Sequence, residues 1–378
     1  MSALLQGSLR QTVVVLLCVL MVPVVPSLYA GGKFYQQRNL VSDGSVPAEH
    51  IDLNVVNPWG IAFNPNGFVW VANNETGTAT LYDGNGISQP PMVTIPPIPG
   101  SNEIGNPTGI VFNGSADFVI SKGNISRPSR FIFASENGTI AAWATDVDPA
   151  NALLVIDHSK SEAIYKGLAL AANGTGNFLY ATDFHHGKID VFDAAFQPAT
   201  LAGTFSDPEL PNGFAPFGIR NINGALYVTY AMQDEDQEDD VAGQGLGFVD
   251  VFDANGQLIR RFASRGRLNA PWGLALAPAD FGKFSSRLLI GNFGDGAINA
   301  YDLASGEFRG RLRHADGQEL AIDGLWGISF GNGIASQPTN VLFFAAGPED
   351  EIHGLYGRIE PAPDHDSDDA MTIEDESK

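Results

Sequence analysis

The chain repeats one short motif six times, and this repeat limits the possible folds more than any other feature of the sequence. Each copy is an apolar run around one glycine, as in "NPWGIAF", "APWGLAL" and "GLWGISF". The six central glycines are Gly60, Gly109, Gly167, Gly218, Gly273 and Gly327. They are 49 to 58 residues apart, and self-similarity at a period of about 40–55 residues is typical of propellers and solenoid arrays.

The segment after each motif also repeats and indicates β-strands. A second apolar run follows, and then an alternating run that ends on an aromatic residue and an aspartate, as in "ATLYDGNG" and "FVDVFDANG". Period-two alternation predicts strands, and the endings are typical of hairpin turns. A fourth, more polar run, such as "QLIRRFA", completes the unit. Six such units without a clear helix predict an all-β fold, a six-bladed β-propeller of four-stranded antiparallel blades.

The sixth unit lacks its fourth strand, and an extra strand at the other end of the chain can replace it. Unit six reaches a third strand at 354–360, and a strand-like run at 34–42 precedes the first motif. We expect this N-terminal strand to join the last blade as its outer strand. That pairing closes the ring and leaves no long open edge.

Both ends of the chain differ in composition from the repeats. Residues 1–30 carry one positive charge and an apolar stretch followed by small residues, which predicts a secretory signal peptide; an uncleaved N-terminal anchor is the alternative. The only cysteine, Cys18, lies in this segment, so the mature chain has no disulfide or thiolate chemistry. The predicted domains are the signal peptide at 1–30, the propeller at 31–360 and an acidic disordered tail at 361–378.

The charge of the chain excludes some classes of partner. It has 43 acidic and 21 basic residues, a formal charge of −22 and no basic stripe. Nucleic acid and anionic membrane are therefore excluded as partners, and after cleavage no integral membrane span is expected. We expect a monomer with an extracellular ligand that the sequence does not identify. The acidic segment at 234–240 is predicted to be a mobile loop that favours cationic partners.

One position of the motif is aromatic in four copies. Trp59, Phe217, Trp272 and Trp326 each immediately precede the central glycine. Two interpretations are open. The four rings pack between neighbouring blades near the axis, or they form an aromatic rim that binds a ligand.

The chain resembles the NHL-type propellers, and more closely a family of secreted six-bladed propeller proteins without an agreed activity. The resemblance rests on "NPWGIAFNPNGFVWVANNETGTATLYDG", "PTGIVFNG" and "RFIFASENGTI". It covers most of the mature chain, and it implies propeller architecture and secretion. The acidic segment in the fourth unit and the acidic tail depart from the family pattern.

Metal-binding residues are the remaining candidates for chemistry, because common catalytic signatures are absent. In a propeller, the loops between second and third strands gather at one end of the ring, here called the mouth face. Oxygen-bearing side chains at these loops predict a Ca²⁺ site; the residues are Asn73, Glu136, Asp183, Asn292, Asp295 and Glu349. The alternative is that they are there because turns favour such residues.

These observations lead to three hypotheses of function. The favoured one is a secreted, non-enzymatic binding protein that uses the mouth face. A calcium-dependent hydrolase of the lactonase or esterase type is the second, by analogy with paraoxonase-like six-bladed enzymes. A cell-surface or matrix adhesion module is the third.

Overall fold

The structure is a computed structural model that describes residues 32–362. The predicted signal peptide and all but the first two residues of the predicted acidic tail lie outside the described residues. No helix within 32–362 combines the length and the apolar character that crossing a bilayer requires.

The described chain forms 26 strands and three short 3₁₀ helices. The first strands are β1 (Tyr35–Ser42) and β2 (His50–Ile51). The first blade contains β3 (Pro58–Phe63), β4 (Val69–Asn73), β5 (Thr78–Tyr82) and β6 (Ser88–Thr94). The second contains β7 (Pro107–Phe112), the hairpin β8 (Val119–Lys122) and β9 (Ile125–Pro128), then β10 (Phe131–Ser135), β11 (Thr139–Trp143) and β12 (Leu153–Asp157).

The remaining blades follow in chain order. The third contains β13 (Tyr165–Ala172), β14 (Asn177–Asp183) and β15 (Lys188–Phe192). The fourth contains β16 (Phe214–Ile222), β17 (Ala225–Met232), β18 (Phe248–Phe252) and β19 (Leu258–Ser264). The fifth contains β20 (Pro271–Leu276), β21 (Arg287–Asn292), β22 (Ile298–Asp302) and β23 (Phe308–Arg311). The sixth contains β24 (Leu325–Phe330), β25 (Leu342–Ala346) and β26 (Leu355–Pro361). The 3₁₀ helices are Asn74–Thr76, Ser159–Ser161 and Gly282–Phe284.

The predicted six-bladed propeller is confirmed, but the blades are not all four-stranded. Six small antiparallel sheets carry the six motifs on their inner strands. The third sheet has three strands, because the chain after β15 makes only an isolated bridge between Phe192 and Pro198. Pro198 has no N–H to continue a ladder. The sixth sheet has five strands, since β1 and β2 both join it.

The N-terminal strand lies in the last blade, as the sequence predicts. Strand β1 pairs antiparallel with β26, from Tyr35 opposite Pro361 to Ser42 opposite Leu355. Strand β2 adds two residue pairs parallel to the end of β1. The sixth blade is therefore built from both ends of the described chain.

The core is divided among the gaps between blades. Six clusters of buried apolar side chains each combine residues of two neighbouring blades, and one of the six joins the last blade to the first. At each motif glycine, a Cβ atom would lie closer than 3.0 Å to a backbone atom of the next inner strand. Gly60 would meet the carbonyl oxygen of Thr108 in this way, and Gly327 would meet that of Trp59. The motif therefore repeats its glycine because the inner strands approach too closely for any side chain.

Candidate functional site

The residues that precede the six glycines form a ring at the mouth end of the axis. Each inner strand begins at the mouth face and runs toward the opposite face. The residue before each motif glycine therefore lies closer to the mouth than the glycine does. The six residues are Trp59, Thr108, Lys166, Phe217, Trp272 and Trp326. The sequence predicted the position of its four aromatic members, but it did not single out Lys166.

The aromatic members fill the axis and contact one another. The rings of Trp59 and Trp326 stack with centroids 3.4 Å apart, and Phe293 stacks on Trp326 at 4.0 Å. Phe217 meets the edge of Trp326 at 5.7 Å, and Trp272 meets it at 5.8 Å. All but Phe293 and Trp272 are fully buried, so these rings form an aromatic plug near the axis.

Lys166 is a buried cation on this plug. Its side chain is only 2% exposed, and its Nζ lies 5.2 Å from the centre of the Trp59 ring and 5.9 Å from that of Phe184. The ammonium donates to Glu136 Oε1 at 2.5 Å and to Asp239 Oδ1 at 3.0 Å. Burial alone would lower the pKa of Lys166, but the negative charges of Glu136 and Asp239 outweigh burial and raise it. The ammonium therefore stays protonated at neutral pH and is not a nucleophile there.

Three further carboxyl groups of the site have raised pKa values. Burial raises the pKa of Glu351 to about 7, and the charge of Glu136 adds to this effect. Burial likewise raises the pKa of Asp240 to about 7, although Lys166 opposes the shift. Burial and the charge of Glu136 raise the pKa of Glu75. The site thus contains one ammonium, which pairs with Glu136 and Asp239, and five acidic groups. These groups are here called the acidic cluster: Glu75, Glu136, Asp239, Asp240 and Glu351.

Amide side chains hold two of these carboxylates in place. Asn74 Nδ2 donates to Glu136 Oε2 at 2.7 Å, and Asn57 Nδ2 donates to Glu351 Oε2 at 2.6 Å. Asn57 is held in turn by the aromatic plug, because its Oδ1 accepts a hydrogen bond from Trp326 Nε1 at 3.1 Å. The carboxylates are therefore tied to the aromatic plug rather than free in solvent.

Two oxygen atoms of the site have no hydrogen-bond donor among the described residues. They are Oδ1 of Asn74, whose side chain is fully buried, and Oδ2 of Asp240. Unsatisfied buried acceptors are rare in native proteins. The site therefore offers places for donors from a bound molecule or water.

The site is assembled from loops of four blades around an inner strand of a fifth. The loops between second and third strands supply Asn74 and Glu75 in the first blade, Glu136 in the second and Glu351 in the sixth. The fourth blade supplies the acidic segment at 234–240. This segment differs from the predicted mobile loop, because Asp239 pairs with Lys166 and Asp240 bridges to Gln233. Its last two residues lie on the mouth rather than projecting from it.

Of the predicted metal ligands, Glu136 belongs to the acidic cluster, and several of the others make hydrogen bonds within their own blades. Asn73 donates to Thr78 and Thr80 of its own blade, and Asp183 accepts from His186 at 2.8 Å. Asn292 donates to Asp295, which also accepts from Arg311. The side chain of Glu349 is largely exposed. Residues 32–362 contain no group of three His, Cys, Asp or Glu side chains arranged for a metal. The shared Ca²⁺ site stays a prediction.

Comparisons with known proteins identify relatives and a shared fold. No family model matches the chain. The chain is 36% identical to "Uncharacterized protein R648" of Acanthamoeba polyphaga mimivirus, over 85% of this chain and 78% of that protein. It is 35% identical to "Uncharacterized protein L690" of the same virus, over 85% of this chain and 84% of that protein.

Solved structures with low sequence identity share the propeller fold. A streptogramin B lyase structure matches with a TM-score of 0.50 and 13% identity, over 87% of this chain and 98% of that one. The soluble aldose sugar dehydrogenase from Escherichia coli matches with a TM-score of 0.50 and 14% identity, over 87% of this chain and 100% of that one. At such identities the likeness concerns the fold alone.

Proposed function

The chain belongs to the same family as the two mimivirus proteins, and we propose that it is a binding protein whose mouth face takes a positively charged group of its ligand. The observation that carries this proposal is the excess of carboxyl groups over cations at the mouth. Lys166 pairs with Glu136 and Asp239, whereas Glu351 and Asp240 have no cation of their own. Burial raises the pKa values of both groups; the neighbouring acid Asp239 raises both pKa values further, and Glu136 raises that of Glu351.

A ligand ammonium or guanidinium group would relieve this deficit. It would pair with the carboxylates of Glu351 and Asp240 and lower their pKa values, because an opposite charge within about 4–6 Å favours the ionised form. The two oxygens that lack donors, on Asn74 and Asp240, are both acceptors and suit the N–H groups of such a cation.

The site is suited to binding rather than to covalent catalysis. Lys166 keeps its proton, and the site groups described above include no Ser, Cys or Thr next to a base. A calcium-dependent hydrolase is not part of this proposal, since the predicted ligands are engaged within separate blades.

Binding of a tetralysine peptide, measured by calorimetry at low salt and about pH 8, tests the proposal, because salt screens charges beyond about 8–10 Å. The wild-type protein should bind the peptide. The double variant Glu351→Gln, Asp240→Asn should bind it about 10-fold more weakly or worse, since each charged hydrogen bond contributes about 1.5–3 kcal/mol. The control Glu307→Gln changes an exposed acid at the opposite face and should bind like the wild type.

Two results would contradict the proposal. The first is equal binding of tetralysine by the double variant and by the control. The second is the absence of binding by the wild-type protein at millimolar peptide.

The proposal includes action outside the cell and an NHL-like propeller type. Secretion is supported by the apolar stretch and small residues of 1–30. Expression of the full chain in a secreting host, followed by mass measurement of the mature protein, tests this part. Cleavage near Ala30 is expected, and an intact N-terminus in a membrane fraction would favour the anchor instead.

A further inference from the structure

A cavity lies along the propeller axis, on the side of the aromatic plug that faces away from the mouth. It has a volume of 360 Å³, within the range of about 300–1,000 Å³ typical of small-molecule sites. Its walls are the six inner strands from each motif glycine onward, so it extends toward the face opposite the mouth. Polar and apolar atoms contribute about equally to its exposed surface, and its lining includes the apolar residues Ile61, Phe63, Ile110, Phe112, Leu170 and Phe330.

One charged side chain enters this cavity, and it is a cation. Arg220 starts on β16 in the fourth blade and reaches β24 in the sixth, where it donates to Ser329 Oγ at 2.9 Å and to the carbonyl oxygen of Ile328 at 3.4 Å. To reach that strand the guanidinium passes the inner strand of the fifth blade, which places it within the axial space. Trp272 of that intervening strand also lines the cavity.

The guanidinium forms no ion pair with any Asp or Glu of residues 32–362. The chain has twice as many acidic as basic residues, yet no Asp or Glu lines this cavity among residues 32–362. Burial lowers the pKa of Arg220, and no carboxylate opposes that shift. Arg220 is half-buried, and a partly buried charge is less stable without a counter-ion than with one. An anion in the cavity would therefore stabilise it.

Donors for an anion are available at one place. A guanidinium has five N–H donors, and the described protein groups accept two hydrogen bonds from Arg220. The Ser329 hydroxyl is 4% exposed and accepts from Arg220, so its own hydrogen is available for a second acceptor. A carboxylate next to both side chains can accept from Arg220 and from Ser329 together.

The geometry points to a binding site for a small organic monocarboxylate in the axial cavity, with its carboxylate on Arg220 and Ser329 and its hydrocarbon part along the apolar wall. This site is separate from the proposed cation site, because the aromatic plug of Trp59, Phe217 and Trp326 lies between them. The two sites also take ligand groups of opposite charge.

Calorimetric titration with sodium hexanoate tests the inference, with hexylammonium chloride as the probe of reversed charge. Hexanoate should bind the wild-type protein, and hexylammonium should not bind in this cavity. Arg220→Met should weaken hexanoate binding about 10- to 100-fold, the usual effect of losing a charged hydrogen-bonding partner. Arg220→Lys should keep part of the affinity, because it retains the charge but not the planar fork.

A matched control is available on an outer strand. Arg260 also donates to backbone carbonyl oxygens, those of Ala304 and Leu303, but it lies outside the cavity. Arg260→Met should leave hexanoate binding unchanged, as should Glu351→Gln at the mouth. The latter control separates failure of this inference from failure of the proposed cation site.

Several results would overturn the inference. One is no binding of hexanoate to the wild-type protein at millimolar concentration. Another is equal affinity of the wild type and Arg220→Met for hexanoate. If Arg220→Met does not fold, Ser329→Ala takes its place in this comparison. Binding of inorganic phosphate as tight as that of hexanoate would show that the apolar wall takes no part, and it would overturn the assignment of an organic ligand.

Discussion

The ammonium of Lys166 lies 5.2 Å from the centre of the Trp59 ring, although the two residues occupy the same position of their repeats. The propeller thus brings equivalent positions of the first and third blades together at its axis. In the third blade a cation replaces the aromatic residue, and the aromatic residues of other blades become its support. The repeated motif builds the propeller, and the copy that carries a lysine at this position provides the cation of the site.

Replacing Lys166 by methionine should destabilise the protein in a pH-dependent way. Loss of one partner of a buried ion pair costs about 3–5 kcal/mol, but Glu136 is partly exposed and Asp239 largely exposed. We therefore expect a loss of about 1–3 kcal/mol at neutral pH and a smaller loss in acid, where the carboxylates are protonated. Urea unfolding at both pH values measures the difference. Arg127→Met, which breaks a pair with Asp146 that is exposed on both sides, should cost about 0–1 kcal/mol; similar losses for both variants would contradict the prediction.

Glu351→Gln should stabilise the protein in alkaline conditions only. The folded-state pKa of Glu351 is about 7, above its ordinary value of 4.5. The folded state therefore binds more protons between these values, so ionisation reduces the free energy of unfolding as pH rises through this window. Glutamine keeps an acceptor for Asn57 and cannot ionise. We expect a gain of about 1–3 kcal/mol near pH 8 and none near pH 4, from unfolding curves. A gain that is equal at both pH values would exclude this explanation.

The neighbouring residues Asp239 and Asp240 should respond in opposite directions to the same change. Asp239→Asn removes a mostly exposed partner of Lys166 and should cost about 0.2–1 kcal/mol. Asp240→Asn removes a carboxyl whose pKa burial raises to about 7, so it should stabilise the protein near pH 8. Thermal unfolding of the two variants side by side gives the signs. A loss of stability in both variants would contradict the prediction, because it would show that the Asp240 carboxylate stabilises the folded state.

Gly327→Ala should destabilise the contact between the last and first blades. The new methyl group would press on the carbonyl oxygen of Trp59, and overpacking of this kind costs about 1–3 kcal/mol. Gly176→Ala is the control, since its Cβ would meet nothing closer than 3.7 Å. The midpoints of urea unfolding compare the two, and an unchanged midpoint for Gly327→Ala would show that the inner strands can move apart.

The fold could be predicted from the sequence because the constraint on it is local and repeated. Each motif glycine marks one close approach of inner strands, and turn residues after each third strand mark the hairpins. The three-stranded third blade was not predictable in this way, because the segment around Pro198 has suitable composition but makes a single bridge. Whether a strand forms there depends on hydrogen-bond partners elsewhere in the chain, which the local sequence pattern does not describe.

The site was predicted less well, for a physical reason. Its aromatic members share one motif position, and the lysine in "IYKGLAL" at that position was a signal that could have identified Lys166. Its partners Glu136 and Asp239 lie 30 and 73 residues away along the chain. Burial and charge at the mouth depend on how four loops meet, and spacing alone does not determine that.

The pairing of β1 with β26 also determines the order in which the ring can be completed during synthesis. Strand β1 leaves the ribosome before any blade, yet its antiparallel partner is Leu355–Pro361. Until that strand is made, β1 has only the two residue pairs with β2. The nascent chain therefore carries an unpaired strand through the synthesis of five blades, and its edge is open to pairing with other chains. The first strand to be made is therefore among the last to find its main partner in the finished protein.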